Sequence, residues 1–436
     1  MRKHHYLLIK NLHSFSLPLV FNQFFNSLIA LFLARITGHI SINAIAITNM
    51  VDLLIFSLLG ILGAGTLSFN IYSSQIKDSD KTAFNDFFRS VIELNLIIGL
   101  FSTLFIWLSM SFILSHFFHL TGTLLLLGEK YTFIISFKLI FTLLIFAFSN
   151  QLKVYKKTKM IFLIGIFSSL FQVLIAYILT FHVFSGDRRV LGIALASTLT
   201  ACLTLLCHIF LVKKELTILL KITSTKKKFL FVKSIPLFFQ ELIEGTFLSL
   251  LVTSLLSQSG TLLYASYVLC KYLTELALTP LFMYCHGLII LTGEKIAKRN
   301  QQDLLVLPRL ALLIILALYL FLITIMWLIQ GDLFSFFSKD TNLIKLASLY
   351  FPFVILVEGS RPLYEVHKYS LQALGFESLT LKITALSVMT LSFLFIYLTL
   401  INALHFLTIL ILLGVFNLIV SWLFSYFYKK KLSLFI

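Results

Sequence analysis

Apolar stretches of about 20 residues recur along the whole chain, and each is long enough to cross a hydrocarbon core as a helix. LNLIIGLFSTLFIWLSMSFIL (94–114) and LALLIILALYLFLITIMWLI (310–329) are two of them. In lipid every backbone N–H and C=O must be satisfied within the protein, which leaves helices or a closed barrel as the spanning forms. The ten-residue alternation of barrel strands is absent, so the chain reads as helical. Only 12% of its 436 residues are charged and 59% are hydrophobic, against about 25% charged in soluble domains. A soluble globular domain is excluded. The expected fold is an all-α integral membrane protein with about twelve transmembrane helices, the eighth continuous over roughly 262–292.

The formal charge of +17 invites a nucleic-acid reading, but the distribution of Lys and Arg argues for membrane orientation instead. With the amino terminus in the cytoplasm, 27 Lys and Arg fall on the cytoplasmic side and 6 on the outer side, with Lys138 and Lys271 inside helices. Arg361 and Lys368 are counted here as cytoplasmic. Both termini are expected in the cytoplasm of a multi-pass cell-membrane protein. The start, MRKHHYLLIK, leads into an apolar segment without a small-residue cleavage site, which reads as a retained helix and not a signal peptide. The four cysteines sit in apolar runs with no CxxC or Cys/His spacing, so no metal site is expected. No G-x-S-x-G, H-E-x-x-H or phosphate-loop motif occurs, which argues against an enzyme and against an ATP-driven pump.

The chain repeats itself. SLPLVFNQFFN (16–26) and SIPLFFQELIE (234–244) align without gaps, with Ser, Pro, Leu and Phe at the same places. HFFHLTGTLLLLGEKYTF (116–133) aligns with SFFSKDTNLIKLASLYFP (335–352), and Gly65 corresponds to Gly287. Two six-helix halves keep the same orientation, so they are parallel repeats of the kind seen in transporters that hold substrate between the halves. The expected division is an amino-terminal lobe over 1–212, a basic cytoplasmic linker over 213–233 and a carboxy-terminal lobe over 234–436.

Charged residues inside the spans mark candidate sites, because one near mid-bilayer costs about 2.5–3.5 kcal/mol on insertion scales. Gln240, Glu241 and Glu244 have i, i+1, i+4 spacing and share a helix face. At about 1.5 Å per residue from Lys233, Glu244 lies near the midplane. A carboxylate there can hold a proton, a Na⁺ or a cationic substrate, and competition among them is a physical basis for antiport. Its burial would be met by water, a proton or a cation. Glu358, Arg361 and Glu365 form a second polar stripe in VEGSRPLYE, where Pro362 interrupts the helix. Asp52 is a further intramembrane acid, and Lys271 and Glu275 form an i, i+4 pair.

The Ser-x-Pro-Leu opening, ARITG (34–38), NAIAITNM (43–50), LLGILGAG (58–65), GDRRVLGIALASTLT (186–200), DTNLIKLASLYF (340–351) and LQALGFES (371–378) together resemble the multidrug and toxic compound extrusion (MATE) transporters of the MOP flippase superfamily. That resemblance implies a two-lobed antiporter exporting organic cations on a Na⁺ or H⁺ gradient, with no cofactor beyond the coupling ion. The expected partners are a cationic, amphiphilic small molecule and the bilayer, with no nucleic acid, and the expected state is a monomer. Two acids common in the family are missing: Ala30 stands at the helix-one position, and Ala176, near Gln172, at the helix-five position. A subgroup carries a Glu eight residues after the helix-seven proline, and Glu244 stands there after Pro236. Its partner acid maps to Glu358 or Glu365. The alternative is a flippase for lipid-linked oligosaccharide or another anionic amphiphile, using Lys138, Lys271 and Arg361. The sign of the charge facing the cavity discriminates between the two.

Overall fold

The computed structural model describes residues 2–40, 42–219, 222–337 and 340–435. Residues 220 and 221, inside the basic linker, lie outside that set. All regular structure among the described residues is helical. Among the described residues, eleven helices are long and apolar enough to cross a membrane, and a bent pair counted as one span makes twelve. Spans one to six are His4–Thr37, Ile47–Ile76, Lys81–Phe117, Gly122–Val154, Thr158–Val183 and Gly186–Leu211. Spans seven to twelve are Lys227–Ser257, the pair Thr261–Ala277 and Thr279–Ala297, Gln301–Leu328, Thr341–Ala373, Glu377–Leu400 and Phe406–Leu432.

Spans seven, eight and ten, which carry the charged stripes, each depart from a straight α-helix. Span eight, expected to be continuous, bends by 40° between Ala277 and Thr279. Pro280 sits in the first turn of its second half, where a missing N–H and a fixed φ are tolerated. Span ten breaks at Ser360, and Pro362 opens the helix Arg361–Ala373 in the same way. Span seven carries Pro236 within the helix Lys227–Glu241, then widens into a π-helical turn over Leu242–Leu248 that contains Glu244. Such turns insert an extra residue into the helical register and re-aim the side chains around it.

The chain divides into two compact units, one of Met1–Val20 with Pro236–Ile436, the other of Phe21–Ile235. This differs from the expected lobes at both repeat openings. The first twenty residues group with the carboxy-terminal helices, and Lys227–Ile235 with the amino-terminal ones. The matched Ser and Gly residues show why. Ser234 Oγ bonds to the Gly65 carbonyl at 2.8 Å and to Ser68 Oγ at 2.9 Å. In the other unit Ser16 lies where a Cβ on Gly287 would meet its Oγ at 2.7 Å. Each repeat's opening serine therefore packs on the glycine of the other repeat's second span.

Within Phe21–Ile235 the core is formed by Ile47, Val51 and Ile55 of span two, Tyr131, Ile135 and Leu139 of span four, and Val190 and Ala194 of span six. Spans three and four approach closely at Gly99, where a Cβ would lie 3.0 Å from the Ile140 backbone. The linker end is pinned to span three: Glu93 meets Arg89 at 2.7 Å, Lys227 at 2.8 Å and Ser224 at 2.6 Å.

Candidate functional site

A cavity of about 300 Å³ lies within the unit containing spans seven to twelve, and Glu241, Glu244, Lys271, Glu275, Glu358, Arg361 and Glu365 all line it. The π-helical turn of span seven and the break in span ten build it. At the break, Glu358 lies in the last turn of one helix and Arg361 begins the next, and their side chains meet at 3.1 Å. Arg361 also sits 5.9 Å from the centroid of the Phe282 ring, within cation–π reach. Lys271 and Glu275 approach to 3.6 Å, as their i, i+4 spacing predicts.

Glu244 is the most heavily contacted of the set. Its Oε1 accepts from Gln240 Nε2 at 2.9 Å, from Thr384 Oγ1 at 2.9 Å and from the Tyr364 hydroxyl. Its Oε2 receives Lys368 Nζ at 2.6 Å. Gln240 is fixed in turn: its Oε1 accepts from Gln372 Nε2 at 2.9 Å and from Thr380 Oγ1 at 3.1 Å. Spans seven, ten and eleven are thus joined by one polar network around Glu244. Glu241 differs. It lines the same cavity, folded over Gly245, and among the described residues it makes neither a hydrogen bond nor an ion pair.

Lys368 corrects the sequence reading. Counted as cytoplasmic from its position in the chain, it is only 6% exposed and lies between two carboxylates. Besides Glu244 it approaches Glu365 Oε2 to 2.7 Å. The charge of Glu244 is therefore met by an internal ammonium and three hydrogen bonds, and not by an external ion alone. The sequence held a signal for this. Glu358, Arg361, Glu365 and Lys368 follow spacings of three, four and three, so the stripe seen through Glu365 extends one more turn. Tyr364, Thr384, Gln372 and Thr380 were missed as well, because a hydroxyl or amide in an apolar span carries no signal until its partner is known.

Asp52 stands apart. It lies in span two of the other unit and accepts from Tyr131 OH at 3.1 Å. Lys138, in the same unit, has its ammonium 5.1 Å from the centroid of the Phe56 ring. Neither belongs to the cavity set.

The cavity's charge balance follows from these contacts. Five carboxylates and three basic groups line it, an excess of two negative charges, and each basic group is paired with a carboxylate. Tyr267, Tyr364, Tyr369, Phe282 and Phe416 add aromatic walls. Carboxylates in excess and aromatic faces are both groups that attract positive charge.

Comparison with known proteins agrees with this architecture. No curated protein matches the chain. Among solved structures, a multidrug resistance MATE family transporter of the MOP superfamily in an outward-facing conformation aligns at 16% identity, covering 98% of this chain and 96% of that one, with a TM-score of 0.87. The Vibrio cholerae MATE transporter VcmN in its bent form aligns at 16% identity over 99% and 98%, with a TM-score of 0.85. A MOP superfamily transporter from Pyrococcus furiosus, described as having a binding pocket of reversed polarity that suggests a different function, aligns at 16% over 98% and 96%, with a TM-score of 0.84. At that identity the likeness shows the fold. The family model MatE matches twice, over residues 17–178 and 236–398, once on each repeat. Two MatE matches, two openings that begin Ser-x-Pro-Leu and twelve spans make this chain a member of the MatE family and a multi-pass membrane transporter.

Proposed function

We propose that this protein is a secondary active exporter of cationic, amphiphilic small molecules, driven by inward movement of H⁺ or Na⁺ and working by alternating access. The carrying observation is the cavity's excess of carboxylate over basic groups, with every basic group already paired and Glu241 unpaired. Even a half-buried carboxylate without a partner is costly at membrane depth, so Glu241 favours any cation that enters. The network at Glu244 then supplies the second requirement of antiport, a carboxylate for which a coupling ion and a cargo compete. Ion coupling on this reading resides in spans seven to twelve, consistent with Ala30 and Ala176 at the amino-terminal positions where related transporters carry acids. The same charge balance disfavours an anionic amphiphile, because Lys271, Arg361 and Lys368 are neutralised from within. The Lys and Arg distribution supports a cell-membrane location with both termini cytoplasmic.

The test is transport in proteoliposomes under separate H⁺ and Na⁺ gradients. Tetraphenylphosphonium is the cation, and an isoprenyl pyrophosphate is the anionic comparison. Wild type should export the cation under one gradient. E244Q should lose gradient-driven export, and E241Q should raise KM for the cation by about tenfold, the cost of roughly 1.4 kcal/mol of lost attraction. Export of the anion alone, or cation export unchanged in E244Q, would sink this reading.

A further inference from the structure

Lys368 sits in a compartment made for an ammonium group. Its Nζ lies 2.6 Å from Glu244 Oε2 and 2.7 Å from Glu365 Oε2. It also lies 5.1 Å from the centroid of the Tyr364 ring and 5.4 Å from that of Tyr369. Two carboxylates supply charge, and two aromatic faces supply cation–π attraction. All five side chains line the cavity. This is the chemistry that would bind a primary ammonium arriving from outside, and here the chain's own lysine occupies it. The two carboxylates are not held equally. Glu244 accepts three hydrogen bonds besides the lysine contact, from Gln240, Thr384 and Tyr364, so it keeps its position if the lysine leaves. The approach of Lys368 to Glu365 is a contact of charge without a directional hydrogen bond. Both carboxylates flank one Nζ, so a small swing of the lysine's flexible stem gives up Glu244 and keeps Glu365.

We propose that Lys368 is a tethered competitor for the cargo: it occupies the box of Glu244, Glu365, Tyr364 and Tyr369 and yields the Glu244 side of it to an incoming ammonium or organic cation, falling back on Glu365. The cargo is thereby selected for the feature the lysine displays, a positive charge within reach of a carboxylate and two aromatic rings. The exchange also keeps the number of positive charges at Glu244 constant, so the carboxylate is not left bare while cargo leaves. For the identity of its cargo the inference rests on the export reading above.

The two are separable by experiment. Binding of tetraphenylphosphonium and of n-butylammonium to the purified full-length chain in detergent is measured by calorimetry, with no gradient and no transport. If the lysine holds the box at least nine-tenths of the time, K368M should bind both probes about tenfold tighter or more, because apparent affinity scales with the fraction of open sites. E244Q/K368M, which removes the carboxylate together with the lysine, should lose that gain. A lysine acting only as helix glue gives the opposite result, an unchanged or weaker affinity in K368M, and that result overturns the inference. Should K368M fail to fold, wild type carries the test. Amidination of Lys368, read by mass spectrometry, should be several-fold faster with saturating tetraphenylphosphonium, and an unchanged or slower rate overturns the inference equally. Wild type that binds cations without exporting them would sink the export reading and leave this one standing. Gradient-driven export with no affinity gain in K368M would do the reverse.

Discussion

Glu244 and Glu241 are one turn apart on span seven, yet their surroundings assign them different work. Glu244 is enclosed by four contacts from spans seven, ten and eleven. Glu241 has none of this and faces the cavity. On the proposed export reading, neutralising Glu241 should weaken cation capture, whereas neutralising Glu244 strips a network of its acceptor, and the KM against kcat split should follow that division. At the same scale, Asp80 shows a carboxylate doing purely structural work outside the membrane. It caps span three, accepting from the Thr82 hydroxyl at 2.6 Å and from the backbone N–H groups of Thr82 at 3.0 Å and Ala83 at 2.9 Å. The Thr82 hydroxyl first, then the backbone donors, hold its carboxyl below the ordinary 3.8. Because the folded value is lowered, its contribution is complete above the unfolded value and is lost as pH falls through the folded one. Amide exchange protection at Thr82 and Ala83 should accordingly be lost in D80A at neutral pH and retained in D80N, since Asn caps as well as Asp. On acidification wild type should converge on D80A, and D80N should hold its protection. Equal acid sensitivity in D80N and wild type would count against the cap as its source.

At the scale of elements, the repeat openings matter most. A Cβ on Gly287 would lie 2.7 Å from Ser16 Oγ and 3.0 Å from both Leu12 Cδ1 and Phe15 Cδ1, three neighbours on a buried face. A Cβ on Gly65 would meet only Ser234, at 3.3 Å for Cβ and 3.7 Å for Oγ. G287A should therefore cost about 1–3 kcal/mol through overpacking, and G65A less than about 1 kcal/mol. Thermal unfolding in a single detergent checks the ranking, and equal losses in the two variants would show that the contacts do not set it. The breaks in spans eight and ten belong to the same scale. Pro280 and Pro362 each open a half-helix, and the second places Glu358 and Arg361 on either side of a joint. Irregular backbone at membrane depth is tolerated where it lines a cavity, and Glu358 and Arg361 both line this one.

At the scale of the whole molecule, the Lys and Arg asymmetry of 27 to 6 predicts orientation independently of any side-chain contact. Moving Lys368 and Arg361 from the cytoplasmic count to the cavity leaves 25 to 6, so the prediction survives the correction. A fluorescent reporter fused after Ile436 should be active in the cytoplasm, while an alkaline phosphatase fused there should be inactive. The reverse pattern would overturn the assigned orientation. Much of the architecture was legible in the chain. Helical spans follow from apolar length, because lipid leaves the backbone no other partner than itself. The repeat follows from SLPLVFNQFFN and SIPLFFQELIE, and the charged stripe of span ten from a period near 3.6. Three things were decided only by tertiary packing. The compact units exchange the starts of spans one and seven, because Ser16 finds Gly287 and Ser234 finds Gly65, and sequence order is silent about such distant pairs. Span eight bends, because a proline tolerated in the first turn of a helix reads from sequence like one within it. The partner of Glu244 is Lys368, because charge counting assigns a basic residue by its place along the chain, whereas an ion pair is chosen by which side chains three separate helices bring to one point.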